Sequence, residues 1–132
     1  MRRSGFTLIE LLAAIALIGI LAAVAMGQYS AYTTKAAYVE VMGSAKVYRR
    51  AVEICALTNP LTDCDTGTNG IPASNSTQAV ASVTVTDGTV TVTPENFKGI
   101  SAADIYTLTP SGGGSGTAIT AWADNCATNA LC

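Results

Sequence analysis

The sequence predicts an α+β fold in which one long N-terminal helix packs on a C-terminal antiparallel β-meander of about four strands. Three observations predict it. An uninterrupted apolar run, Phe6 to Gly27, stands near the start of the chain and holds a single charge, Glu10. A helical period then continues from Gln28 to Leu57 without a proline. Beyond residue 80 the period drops to two, around an Asp-Gly pair that signals a hairpin. The 132 residues support one domain beside the apolar segment.

The apolar run is rich in Leu, Ile, Ala and Val. As a helix it would be roughly 33 Å long, enough to cross a bilayer core. A short basic leader, Met1-Arg2-Arg3-Ser4-Gly5, precedes it. Its arginines are expected to stay on the cytoplasmic side and send the remainder outward. A secretory signal has a shorter apolar run with a small-residue cleavage site after it. Here the only junction of that kind, Gly5-Phe6, lies before the run, so cutting there would keep the helix on the mature protein.

The stretch Gly5-Phe6-Thr7-Leu8-Ile9-Glu10, after a basic leader and before an apolar run, resembles a type IV prepilin of the type IVa class. The resemblance implies that a membrane prepilin peptidase cleaves after Gly5 and methylates the new amine of Phe6. It also implies that Glu10 is needed for methylation and for subunit assembly. Physical chemistry supports a role for Glu10 independently. A carboxylate near the centre of a membrane helix costs about 2.5–3.5 kcal/mol and marks a functional site by default. Cleavage at Gly5 would create a cation at Phe6, one helical turn away. In a bundle of subunits, Glu10 of one chain would then pair with the Phe6 amine of its neighbour. The alternative is an acid near the interface, neutralised by protonation.

Past the apolar run, Ala37, Val41, Ala45, Tyr48, Val52 and Cys55 recur at three- and four-residue steps and form one stripe. Lys46, Arg49, Arg50 and Glu53 lie off it, on a wet or partner-facing side. Asn59-Pro60 is the stop signal. The helix is thus expected from Phe6 to about Leu57, roughly 78 Å at the usual rise. No chain of this length buries such a rod, so its first half must be covered by lipid or by other copies. Gly19 and Gly27 weaken that half by about 1 kcal/mol each. Pilins of this type usually carry a proline where Gly27 stands. Glycine there fits either local unwinding in a filament or close helix packing through small residues.

Thr58 to Ala79 reads as loop, with Asn69-Gly70-Ile71-Pro72 and a Ser/Asn/Thr run. Next, Val83, Val85, Val90 and Val92 alternate with threonines about Asp87-Gly88. With that pair as the turn, Val85 faces Val90 and Val83 faces Val92, and Thr84 pairs with Thr91 on the wetter face. The valine face is expected to pack on the helix stripe. Asp104–Thr109 reads as a third strand, Ser111–Gly116 as a loose turn, and Thr117–Ala123, with Trp122, as a fourth strand. Asp124 to Cys132 reads as a closing loop. This order resembles the type IV pilin architecture. Tyr48–Leu57 and Thr68–Pro72 look like the matching stretches of enterobacterial-type major pilins, which carry two disulfides.

Four cysteines, Cys55, Cys64, Cys126 and Cys132, fall in the part expected to be exported. An even count there reads as two disulfides in an oxidising compartment. Arithmetic leaves three connectivities open. The resemblance implies Cys55–Cys64 and Cys126–Cys132, each worth about 2.5 kcal/mol in the chain-entropy model. Zinc is the rival reading, but the chain has no C-x-x-C pair and no histidine.

The absence of histidine also removes the usual general base and the Ser/His and Cys/His nucleophile pairs. No phosphate-cradling glycine motif appears. Asp63 and Asp65 flank Cys64, but the spaced oxygen ligands of a calcium loop are not evident. No catalytic residue, metal or cofactor is therefore expected, and the chain reads as the substrate of an enzyme. Without the leader, five basic residues stand against nine acidic ones, a formal charge of −4. That balance argues against bulk binding of nucleic acid along a filament shaft.

These readings converge on three segments: a prepilin leader (1–5), a transmembrane and filament-core helix (6–27), and a head (28–132) including the second half of the helix. The leading expectation is a major subunit of a type IV pilus, a homopolymer served by prepilin peptidase and the inner-membrane assembly machinery. Before assembly it would span the bacterial inner membrane once with its C-terminus periplasmic; afterwards it would lie in the extracellular pilus. The alternatives are a pseudopilin of a type II secretion system, or a minor tip pilin acting as an adhesion or DNA-binding module. Adhesion, twitching and DNA uptake leave little trace in the residues.

Overall fold

A computed structural model describes residues 5–132, so the expected leader lies, apart from Gly5, outside the described residues. Helix α1 runs over Leu8–Ala56, followed by a 3₁₀ turn, Leu61–Asp63, and four strands. These are β1 (Val80–Thr86), β2 (Thr89–Pro94), β3 (Tyr106–Ser111) and β4 (Ala121–Cys126). All neighbouring strands pair antiparallel in the order β1-β2-β3-β4, a meander. The fold is α+β, one long helix with a four-stranded antiparallel sheet. The chain divides into two compact units between Tyr32 and Thr33.

In the first unit α1 has no cover. Its large apolar side chains from Leu8 to Met26 are all at least 53% exposed. It is one helix long and apolar enough to cross a membrane. The helix is continuous through Gly19 and Gly27, where nothing lies within 4 Å of an added Cβ.

The second unit closes a core around the expected stripe. Ala37, Val41, Ala45, Tyr48, Val52 and Cys55 are buried, in one cluster with Val83, Val85, Val90 and Val92 of the hairpin. The hairpin register is the one that Asp87-Gly88 dictates: Val85 opposite Val90, Val83 opposite Val92, Thr84 opposite Thr91. Both turn residues have positive φ, +49° and +76°, as a turn matching the strand twist requires. At Gly88 a Cβ would also fall 2.7 Å from a Leu61 methyl, so a larger residue there would strain the backbone and displace Leu61. Tyr106 and Leu108 of β3 lie opposite Val92 and Val90 and extend the apolar face.

Three expectations need correction. Helix α1 starts two residues after Phe6, because Thr7 is its cap rather than part of its first turn. The third strand begins at Tyr106 rather than Asp104, whose carboxylate instead accepts the Ser101 amide and closes a turn. It runs on through Pro110, past the last residue of β3 that pairs with β2, where a missing N–H breaks no ladder bond on that side. The fourth strand is Ala121–Cys126, not Thr117–Ala123. The glycine turn is longer than it reads and closes with the Thr120 amide on the Ser111 carbonyl. Tyr38 and Tyr48 pack in the head's core, whereas Tyr29 and Tyr32 are 71% and 73% exposed.

Tyr38 and Tyr48 are buried differently. The Tyr48 hydroxyl donates to the Ala73 carbonyl at 2.7 Å and ties the loop to α1. The Tyr38 hydroxyl is buried without a partner among the described residues, its ring edge-on to Tyr106 at 6.4 Å. Burial, with Asp104 and Tyr106 nearby, pushes its pKa up to about 12. Tyr48→Phe should therefore cost about 1 kcal/mol, whereas Tyr38→Phe should be neutral or stabilising, since it removes an unpaired buried group. Thermal unfolding of the two variants measures this; equal losses would contradict it.

Candidate functional site

The residues expected to carry function gather at the amino end of α1. Gly5 is exposed and Phe6 is 85% exposed, so their peptide bond is open on the chain itself. The helix begins with a reciprocal cap. The Thr7 backbone N–H donates to Glu10 Oε2 at 2.9 Å, and the Thr7 hydroxyl donates to the same oxygen at 2.8 Å. The Glu10 amide lies 3.4 Å from Thr7 Oγ1. This is a capping box, in which threonine and an acid three residues on satisfy helix-end donors that would otherwise lack partners. Away from water such donors are costly to leave unpaired.

Sequence reasoning missed Thr7, although Thr-x-x-Glu before an apolar run is the pattern that announces a capping box. The box changes the chemistry of Glu10. One carboxylate oxygen is occupied within the chain, and Oε1 accepts no hydrogen bond among the described residues. Glu10 is thereby held by its own cap with one oxygen presented outward.

In the head, Cys55 pairs with Cys64 and Cys126 with Cys132, at Cα separations of 6.0 and 6.2 Å. The first loop is tied to the hairpin turn as well. Asp65 Oδ1 accepts the Asp87 amide at 2.9 Å, and the Cys64 carbonyl accepts the Gly88 amide at 3.1 Å. Asp65 thus fixes a turn. The second loop is held by Thr128, whose hydroxyl donates to Asp104.

The off-stripe charges of α1 have a specific use that the sequence did not reveal. Glu53 Oε1 accepts the Trp122 indole N–H at 3.0 Å and the Arg49 Nε–H at 3.0 Å. Arg49 also lies 5.5 Å from the centre of the Trp122 ring. A helix acid and a helix cation together clamp β4 onto α1. Lys46 and Arg50 remain exposed beside this clamp.

An exposed apolar half-helix, a capped acid at its start and a disulfide-bonded head on its second half define a helix-anchored subunit. Comparison with known proteins makes the class specific. Residues 1–26 match the model of the prokaryotic N-terminal methylation motif. The prepilin peptidase-dependent protein D of Escherichia coli K12 is 39% identical over 127 residues, covering 95% of this chain and 84% of that protein. The type IV major pilin PilE of Neisseria gonorrhoeae is 39% identical over 93 residues, 69% of this chain and 56% of that one. The major fimbrial protein FimA of Dichelobacter nodosus is 46% identical over 55 residues, 42% of this chain and 35% of that one. The chain belongs to the type IV pilin family.

The contacts of Asp104 predict an acid-sensitive second disulfide loop. Its hydrogen bond from Thr128, followed by those from Ser101, holds its carboxyl below the usual 3.8. A depressed carboxyl contributes stability that is complete above 3.8 and lost as pH falls through the lower, folded-state value. The gap in thermal midpoint between wild type and Asp104→Asn should be widest at neutral pH and narrow below pH 3.8. A gap independent of pH would contradict this role.

Proposed function

We propose that this chain is the major structural subunit of a type IV pilus. Prepilin peptidase cleaves it after Gly5 and methylates the Phe6 amine. The mature chains then polymerise through their apolar helices. Residues 1–5 act as leader, 6–27 as the membrane and filament-core helix, and 28–132 as the head. The observation that carries this reading is the division of α1. Its second half completes the head's core, while its first half exposes every large apolar side chain. A surface of that kind suits either a bilayer or a sheath of identical helices. The chain waits in the inner membrane, head on the periplasmic side, until the assembly machinery extracts it.

Glu10 guides docking. Its Oε1 takes the Phe6 amine of a neighbouring copy, while Oε2 stays in the Thr7 cap. Lipid already covers the apolar surface, so packing and this ion pair, rather than fresh hydrophobic burial, favour the filament. The modest balance suits reversible assembly. The disulfides serve a head that works outside the cell, where thiols are oxidised.

Two substitutions separate the cap from the ion pair, because glutamine keeps a capping box but carries no charge. Glu10→Ala and Glu10→Gln should both remain membrane-bound, and both should lose surface fibres at least tenfold. Removing one partner of a buried pair costs about 3–5 kcal/mol, more than tenfold per subunit. Normal fibres from Glu10→Gln would reduce Glu10 to a cap and overturn the pairing. The pseudopilin alternative shares this N-terminus; deletion distinguishes it, by blocking release of an exoprotein instead of removing fibres. A minor tip pilin would be scarce in purified fibres.

A further inference from the structure

Tyr29 and Tyr32 take no part in either the head's core or the capped amino end. They are 71% and 73% exposed and follow the last residues of the apolar run. Three residues apart on a helix, they share one face. Tyrosine is the side chain suited to a membrane–water interface, with an apolar ring for the acyl edge and a hydroxyl for the headgroups. We infer that Tyr29 and Tyr32 form an interfacial anchor that binds the headgroup layer of a bilayer. The anchor sets the depth of α1, and with it the position of the Gly5-Phe6 bond at the opposite surface.

The spacing carries the inference. Along α1, Leu8 to Tyr29 is about 32 Å and Leu8 to Tyr32 about 36 Å. A bilayer has a hydrocarbon core of about 30 Å and a total thickness of about 40–45 Å. With both rings in one headgroup layer, the helix start falls in the other, and Phe6 and Thr7, which precede the helix, reach the aqueous edge. There a membrane peptidase meets an accessible peptide bond. A helix 2 turns deeper would draw Gly5-Phe6 out of position by about 11 Å. Glu10 then lies near the cytoplasmic headgroups, where an acid is less costly than at mid-bilayer. The part of the inference that concerns cleavage rests on the processing reading above; the depth of the rings does not.

The occupant is lipid rather than a second copy, because the rings stand just past the end of the apolar run and one bilayer length from the helix start, a match that a bundle of identical helices does not require. A further charge, Lys35, follows three residues on, where a cation reaches back to headgroups.

Full-length Tyr29→Trp and Tyr32→Trp variants are reconstituted in phosphatidylcholine/phosphatidylglycerol vesicles. The vesicles contain lipids brominated at either the 6,7 or the 11,12 acyl positions. Wild type, whose single tryptophan is Trp122, supplies the baseline. Quenching above that baseline should be about twofold stronger with 6,7-bromolipid, and Tyr29→Trp should sit deeper than Tyr32→Trp. Equal quenching by the two lipids, stronger quenching at 11,12, or none above baseline would overturn the anchor. Emission insensitive to bromolipid but dependent on protein concentration would assign the face to a second copy instead.

In a membrane cleavage assay with prepilin peptidase, Tyr29→Ala/Tyr32→Ala should be processed several-fold more slowly than wild type. Tyr29→Trp/Tyr32→Trp should keep the wild-type rate. An alanine pair cut at the wild-type rate would overturn the depth-setting role. Failure of wild type to be cut would overturn the processing reading, while the quenching profile alone still decides the anchor.

Discussion

The structure depends on one constraint: among the described residues, nothing covers the apolar first half of α1. Its large side chains are exposed all round, so water is the one environment in which it cannot remain. Lipid and a bundle of identical helices are both suitable. Neither gains much over the other from hydrophobic burial, because lipid tails are as apolar as leucine. The choice between them therefore passes to polar groups, and among the described residues this half holds one ionised side chain, Glu10. The Thr7 cap orients that carboxylate within its own chain, so in the proposed filament a neighbour would meet it already ordered.

The second half of the same helix has the opposite problem and solves it within the chain. A stripe from Ala37 to Cys55 and the valine face of the hairpin bury each other. Their edges are fastened by polar contacts rather than by more apolar area. Glu53 and Arg49 hold Trp122, Asp65 holds the hairpin turn, and Asp104 holds the loop that Cys126 and Cys132 close. A head stabilised this way does not draw on the exposed half of α1 for its core. It can keep its fold while that half exchanges lipid for other subunits.

How far the sequence reveals this differs from element to element. The helix stripe and the hairpin register could be read residue by residue, because burial on one face imposes a strict period and Asp87-Gly88 admits one pairing. The third and fourth strands were displaced by two to four residues at their starts. Their alternation is masked by polar residues, since Asp124 sits on the core-facing side of β4 opposite Leu108, and glycine-rich turns carry no register of their own. Of the site, Gly5, Phe6 and Glu10 stood out because a charge and a junction beside an apolar run are rare. Thr7 did not, because its role is a hydrogen bond back to Glu10 and leaves no charge or period. The Trp122–Glu53–Arg49 clamp escaped for a similar reason: 69 residues separate Trp122 from Glu53, and only the fold brings them together.

In the proposed subunit the apolar half of α1 is retained, freed at Phe6, and covered by other copies of the chain. Intact mass and N-terminal sequencing of the protein in sheared cell-surface material test it most directly. The expected result is an abundant fibre protein that begins at methylated Phe6 and is four hydrogens light, two for each disulfide. A protein that retains Met1, or one confined to the membrane fraction, would contradict it.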